Sequence, residues 1–238
     1  MGKFRFKQFD VEHERSSMKV GVDAVLLGAW ATKTDGRILD VGCGCGIIAL
    51  MLSQNGAEVT AIDIHEDSVE EAKANFGRSR WCQRLKAINI DIFEFVKQNK
   101  TKYDLVISNP PFFNSGVREP ASPREVARHG AILSPATLPA MAAELLKPAG
   151  KLEMISSMDF HNTMIEAFRK SGFVIDRLCY VADHPGKQPK RVMVSGLYYP
   201  DGCERKSPGE KTELFIRNDN QTYSEQYKEL TKDYYLNL

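Results

Sequence analysis

Asp40-Val41-Gly42-Cys43-Gly44-Cys45-Gly46 is the stretch on which the reading of the whole chain turns. It closes the apolar run Arg37–Val41 and leads into Ile47–Gln54, whose apolar residues recur with helical period, so three glycines stand where a strand becomes a helix. Glycine there lets the backbone turn sharply and lets a ligand approach without a Cβ in the way. A dinucleotide fingerprint would need glycine at position 47, where this chain has Ile47, and makes no demand for an acid two residues before its first glycine. The spacing that includes Asp40 points instead to S-adenosylmethionine, with Asp40, Gly42, Cys43, Gly44 and Gly46 around it.

Further acids extend the pocket downstream. The next strand, Glu58–Ile62, runs into Asp63, where one carboxylate can accept from both ribose hydroxyls. The third, Leu85–Asn89, runs into Asp91, placed to accept from an adenine amino group, with Ile64 and Ile92 suited to the ring faces. A single acid after a strand is more often a helix cap than a ligand. What favours a pocket is the recurrence of such acids at the carboxyl ends of three successive strands, where open α/β sheets bind ligands.

Working outward, strands are also expected at Leu105–Ser108 and Lys151–Ser156, and helices at Asp23–Ala31, Ser68–Phe76, Thr137–Leu146 and His161–Ser171. Phe173–Val181 and Arg191–Tyr199 read as an antiparallel closing hairpin. This is the α/β pattern of a doubly wound, Rossmann-like sheet of seven strands, mostly parallel. One domain over residues 1–238 is expected, with an N-terminal extension over about 1–31 and a strand-helix tail over about 212–238, Thr212–Ile216 then Ser224–Tyr235.

Lysine and arginine number 32 against 31 aspartates and glutamates, so nucleic acid could be held only by a local basic patch. Candidates are Arg118, Arg124, Arg128, Lys187, Lys190 and Arg191, on loops expected around the site. Cys43, Cys45, Cys82, Cys179 and Cys203 form no CxxC pair, which argues against a metal site or a disulfide framework. The histidines are scattered and suggest loop or surface positions. With no apolar stretch suited to a signal peptide or membrane span, a cytoplasmic location is expected.

The most specific signal is Asn109-Pro110-Pro111-Phe112, at the end of the fourth strand. Consecutive prolines fix φ and keep the backbone from continuing as helix, so the Asn109 side chain and the Pro110 carbonyl can point into the pocket. An exocyclic amine on a heteroaromatic ring is a poor nucleophile, because its lone pair is delocalised. Two acceptors on its hydrogens favour a pyramidal nitrogen, and fixed dipoles stabilise the charge that develops in transfer. Phe112 would stack on the target base, with Pro111 beside it.

On these motifs, together with Phe6-Lys7-Gln8-Phe9, Met18–Asp23, Leu26–Trp30 and Tyr223–Tyr227, the chain resembles the bacterial tRNA1(Val) adenine-N6 methyltransferase family over nearly its whole length. The resemblance implies methylation of the adenine 3′ of the anticodon, and tRNA as partner. It implies that Lys19, Val20 and Asp23 cover the methionine end of the cofactor and that Asp40 lies near its sulfonium and amino group. The family often carries Tyr where this chain has Phe112. Alternative readings with the same chemistry are ribosomal RNA guanine-N2 and protein glutamine N5 methylation; a catalytically silent RNA-binding module is the reading from another class. The oligomeric state stays open, with a monomer favoured.

Overall fold

Apolar residues alternate in direction along the central strands, and this builds two separate cores. The computed structural model describes residues 2–16, 19–110, 133–200 and 209–237. Its main sheet contains β3 (Arg37–Val41), β4 (Glu58–Asp63), β5 (Leu85–Asn89), β6 (Tyr103–Ser108), β7 (Leu146–Ser157), β8 (Phe173–Ala182), β9 (Arg191–Tyr198) and β10 (Glu210–Phe215). Ile38, Ala61, Leu105, Ile107 and Ile155 face one way, under α1 (Val22–Trp30), α2 (Ile47–Ser53), α3 (Glu66–Arg78) and α7 (Glu225–Thr231). Leu39, Ile62, Val106, Leu152 and Met154 face the other, under α4 (Ile92–Gln98), α5 (Leu138–Leu145) and α6 (His161–Lys170). Leu105, Val106 and Ile107 of the central strand are at most 1% exposed, and complete burial of side chains of this kind contributes about 2 kcal/mol each.

The strand order is β10-β8-β9-β7-β6-β3-β4-β5. Strands β5, β4, β3, β6 and β7 are parallel, while β9 runs antiparallel between β7 and β8, so the expected closing hairpin is present. The sheet has eight strands rather than the seven expected. The tail strand β10 joins it, parallel to β8, because the edge of β8 still offers unpaired backbone groups.

Other departures are local. The two short strands β1 (Lys3–Arg5) and β2 (Asp10–Glu12) form an antiparallel pair of their own. The tail helix is shorter than Ser224–Tyr235 and is followed by an isolated bridge from Tyr235 to Phe6. The two ends of the chain therefore meet in an aromatic cluster of Phe4, Phe6, Phe9 and Tyr235. α4 was not expected, since Ile92-Phe93-Glu94-Phe95-Val96 lacks clear helical period; its start is fixed by the cap described below.

Candidate active site

Because β5, β4, β3 and β6 are parallel neighbours, their carboxyl ends line one edge of the sheet. There the glycine loop hangs on β4, with the Gly42 and Cys43 N–H groups both donating to the Ile62 carbonyl at 2.9 and 3.0 Å. All three of its glycines have positive φ, Gly42 at +70°. Gly44 has φ +53° and donates its N–H to Asp63 Oδ2 at 2.9 Å. Gly46, the N-cap of α2, has φ +81°, and a Cβ there would fall 2.5 Å from the ring of Phe76.

Asp63 is 7% exposed, and its second oxygen accepts from the His65 N–H at 2.9 Å. One carboxylate thus ties the glycine loop to the β4–α3 turn, and lone pairs remain on both oxygens for further donors. Asn89 secures the same turn from β5, donating to the carbonyls of Asp63 and Ile64 at 3.0 and 2.9 Å. The turn leaves Ile64 61% exposed beside the pocket, whereas Ile92 is 4% exposed and belongs to the core beneath. Asp91 is the N-cap of α4, its Oδ1 accepting from the Phe93 N–H at 2.8 Å. The bland expectation for a lone acid is realised there, and the cap also fixes the carboxylate at the end of β5.

Asp40 is fully buried. Its Oδ2 accepts from the Ala49 N–H at 3.2 Å, and its Oδ1 has no partner. Burial first, and then the neighbouring Asp63, raise its carboxyl to about 7, against the pull of the Ala49 N–H. Cys43 and Cys45 are buried, and burial raises both thiols, that of Cys45 to about 12. They stay protonated and act as small packing residues.

β6 ends beside this loop. Ser108 pairs in register with Val41, and its hydroxyl donates to the Val41 carbonyl at 2.7 Å. One residue on, Asn109 and Gly42 therefore continue neighbouring strands, which lie about 4.8 Å apart. The Asn109 Oδ1 is buried with no hydrogen-bond partner among the described residues, and Pro110 is buried. Pro111, Phe112, Arg118, Arg124 and Arg128 lie outside the described residues.

On the other side, Val20 donates its N–H to His13 Nδ1 at 3.2 Å, and Lys19 is exposed. Asp23, in the first turn of α1, forms an ion pair with Arg191 at the start of β9. Burial pushes the Asp23 carboxyl up, and Arg191 opposes it. Lys190 pairs with Asp183 but keeps a 65% exposed side chain.

The residues from Val20 to Tyr180 match the model of the methyltransferase small domain. A protein of Phocaeicola vulgatus called tRNA1(Val) (adenine(37)-N6)-methyltransferase is 38% identical over 237 residues, covering 99% of this chain and 98% of that one. A protein of the same name from Klebsiella pneumoniae is 37% identical, covering 98% and 94%. The chain belongs to the tRNA1(Val) (adenine-N6)-methyltransferase family. Among solved structures, a predicted O-methyltransferase from Agrobacterium tumefaciens superposes with a TM-score of 0.68 at 18% identity, covering 91% of this chain and all of that one. That likeness shows the methyltransferase fold.

For a member of this methyltransferase family, the sequence reading lacked two contributors to the site. Asn89 was read only as the end of a strand, and Ser108 only as part of the run before Asn109. A polar side chain directly after the last apolar residue of a strand, Ile88 or Ile107, is the signal that marks both.

Proposed function

We propose that this chain transfers the methyl group of S-adenosylmethionine to N6 of an adenine in tRNA, the adenine at position 37 of tRNA1(Val) after which its relatives are named. The observation that carries the reading is the buried Asn109 Oδ1 at the end of β6, without a partner among the described residues and adjacent to the glycine loop. A buried acceptor left without a donor is costly unless a donor arrives with a ligand, and an exocyclic amine is such a donor.

The residues present fit S-adenosylmethionine. Asp63 would accept from the ribose hydroxyls, Asp91 from the adenine amine, and Ile64 would cover a ring face, with Ile92 supporting it from the core. The unpartnered Asp40 Oδ1 suits a nearby positive charge. Gly42, Cys43, Gly44 and Gly46 supply backbone, and Lys19, Val20 and Asp23 cover the methionine end. When bound, the cofactor supplies an electrophilic methyl group on a sulfonium.

Asn109 Oδ1 and the Pro110 carbonyl accept the two hydrogens of the target amine, which restores nitrogen lone-pair density and aims it at the methyl group. Because these dipoles are fixed before the reaction, they stabilise developing positive charge on nitrogen without reorganising. Holding nucleophile and methyl in line supplies much of the remaining acceleration. Phe112 stacks on the flipped base against Pro111. Arg118, Arg128 and Lys190 contact phosphate, while Arg191 serves mainly by holding Asp23. One domain carries this activity in the cytoplasm, where tRNA is matured.

Incubation with tritiated S-adenosylmethionine and, in separate reactions, tRNA, ribosomal RNA and total protein from a strain lacking the gene, followed by mass spectrometry of nuclease and peptide fragments, tests this reading. N6-methyladenosine at position 37 is expected. Label appearing instead as N2-methylguanosine in ribosomal RNA, or on a protein glutamine, would replace the substrate assignment.

A further inference from the structure

α3 carries a row of buried polar side chains that the mechanism above does not use. Ser68, Glu71 and Asn75 are 0%, 3% and 1% exposed. All three are turned toward the N-terminal segment. Glu71 Oε1 and Oε2 accept from the backbone N–H groups of Arg15 and Ser16 at 3.0 and 2.8 Å. The Ser16 and Ser68 hydroxyls lie 3.3 Å apart. Asn75 accepts from the Glu12 N–H at 2.9 Å and donates to the Glu12 carbonyl at 2.9 Å, and its remaining amide hydrogen goes to the Cys45 carbonyl of the glycine loop at 2.8 Å.

Both oxygens of the buried Glu71 are taken up by the backbone of residues 15 and 16, so release of that strip would cost a buried carboxylate these two donors, while Asn75 ties the same strip to the glycine loop. Residues 12–16 run along α3 toward its first turn, next to Asp63 and Ile64. The chain is fastened again at Val20, through His13, and at Asp23, through Arg191. His13 belongs to the strip fastened on α3 and accepts from the Val20 N–H, so that fastening carries directly to Val20 and the turn that opens α1.

We propose that Glu71 and Asn75 are positioning residues for the cofactor: they fix residues 12–16 on α3 and thereby hold the Lys19–Asp23 segment and the glycine loop in register over the methionine end. The proposal rests on the functional reading above, and its test separates the two.

Affinity for S-adenosylmethionine and S-adenosylhomocysteine is measured by calorimetry on the full chain without RNA, with hydrogen exchange of residues 12–16 followed in parallel. In Glu71→Gln, which replaces one acceptor oxygen by a donor, both dissociation constants should rise about tenfold, as for loss of a charge-assisted hydrogen bond. Exchange at Arg15 and Ser16 should accelerate, while kcat at saturating cofactor stays within about twofold. Glu71→Asp, which keeps the carboxylate, should recover part of the affinity. Asn75→Ala should act in the same direction and more strongly; if it does not fold, the Glu71 pair carries the test. Faster exchange at residues 12–16 with unchanged affinity would overturn the proposal, as would a fall in kcat with no change in affinity. Wild-type protein that binds neither ligand would instead overturn the functional reading.

Discussion

The two halves of the sheet differ in whether their buried charges meet an opposite charge. In the half built from β5, β4, β3 and β6, Asp40 Oδ1 and Asn109 Oδ1 are buried without partners among the described residues. In the half built from β7, β9 and β8, charged side chains pair with one another, although Asp176 Oδ1, Arg177 Nε and the Ser156 and Ser195 hydroxyls are also buried without a hydrogen-bond partner among the described residues. Glu153 is 0% exposed and accepts from Arg177 at 2.7 Å and from the Thr32 N–H and hydroxyl at 2.9 and 2.6 Å. Lys151 pairs with Asp176 at 2.9 Å, and Arg177 also stacks on Trp30 with its guanidinium 4.1 Å from the ring centre. The second arrangement stabilises the fold; in the function proposed above, ligand groups complete the first. A polar atom is therefore informative here according to whether the protein itself already satisfies it.

The largest effect should come from removing the open acceptor at the reacting atom. Asn109→Ala is expected to lower kcat by about 10²- to 10³-fold, the size seen when one fixed dipole is lost from a transition-state site. Cofactor affinity by calorimetry should stay within about twofold. Normal turnover in this variant would erase the distinction between the two halves.

Next comes the paired half. Glu153→Ala strands Arg177 and should cost about 3 kcal/mol of stability in denaturant unfolding, as for a broken buried pair. Cofactor affinity in the folded fraction should be unchanged. A loss of cofactor binding without loss of stability would show that this network belongs to the site.

Asp40 sharpens the comparison through pH. Its folded-state carboxyl is raised to about 7 from 3.8, so between those values the native protein keeps a proton that the unfolded chain has released. The stability gained by keeping Asp40 neutral is full below about pH 4 and is lost as pH rises toward 7, with an upper limit of about 4 kcal/mol. Asp40→Asn should remove that slope, leaving the unliganded variant more stable than wild type at pH 8 in thermal unfolding. Its cofactor affinity should no longer rise between pH 6 and 8, as that of the wild type should when Asp40 ionises. Equal pH slopes for the two proteins would show that Asp40 is already ionised in the folded state.

The smallest effect concerns two adjacent bases. Lys190→Ala should weaken tRNA binding a few-fold and reduce the salt slope by about 1, because its exposed side chain can reach phosphate. Arg191→Ala should leave that slope unchanged and weaken cofactor binding, since its partner is Asp23. The reverse pattern would place Arg191 on RNA.

Where function needs a residue type at a fixed distance from a strand end, the sequence carries it. The glycine loop, Asp40, Asp63 and Asn109 could be named from spacing because strand, turn and helix periods fix their mutual positions locally. Arg191 was less legible. Its charge suggested RNA, and only the approach of α1 to β9 shows it committed to Asp23. The eighth strand was likewise visible as an apolar run, but its place beside β8 depends on which edge remained free.

By itself, then, the sequence determined the parallel sheet, the glycine turn after β3 and the place of Asn109 after β6, because each follows from neighbours within a few residues. Tertiary structure alone decided which charges are engaged, that β10 extends the sheet, and that Glu71 and Asn75 fasten a segment some sixty residues earlier. Those contacts join positions far apart along the chain, where no local period or propensity can announce them.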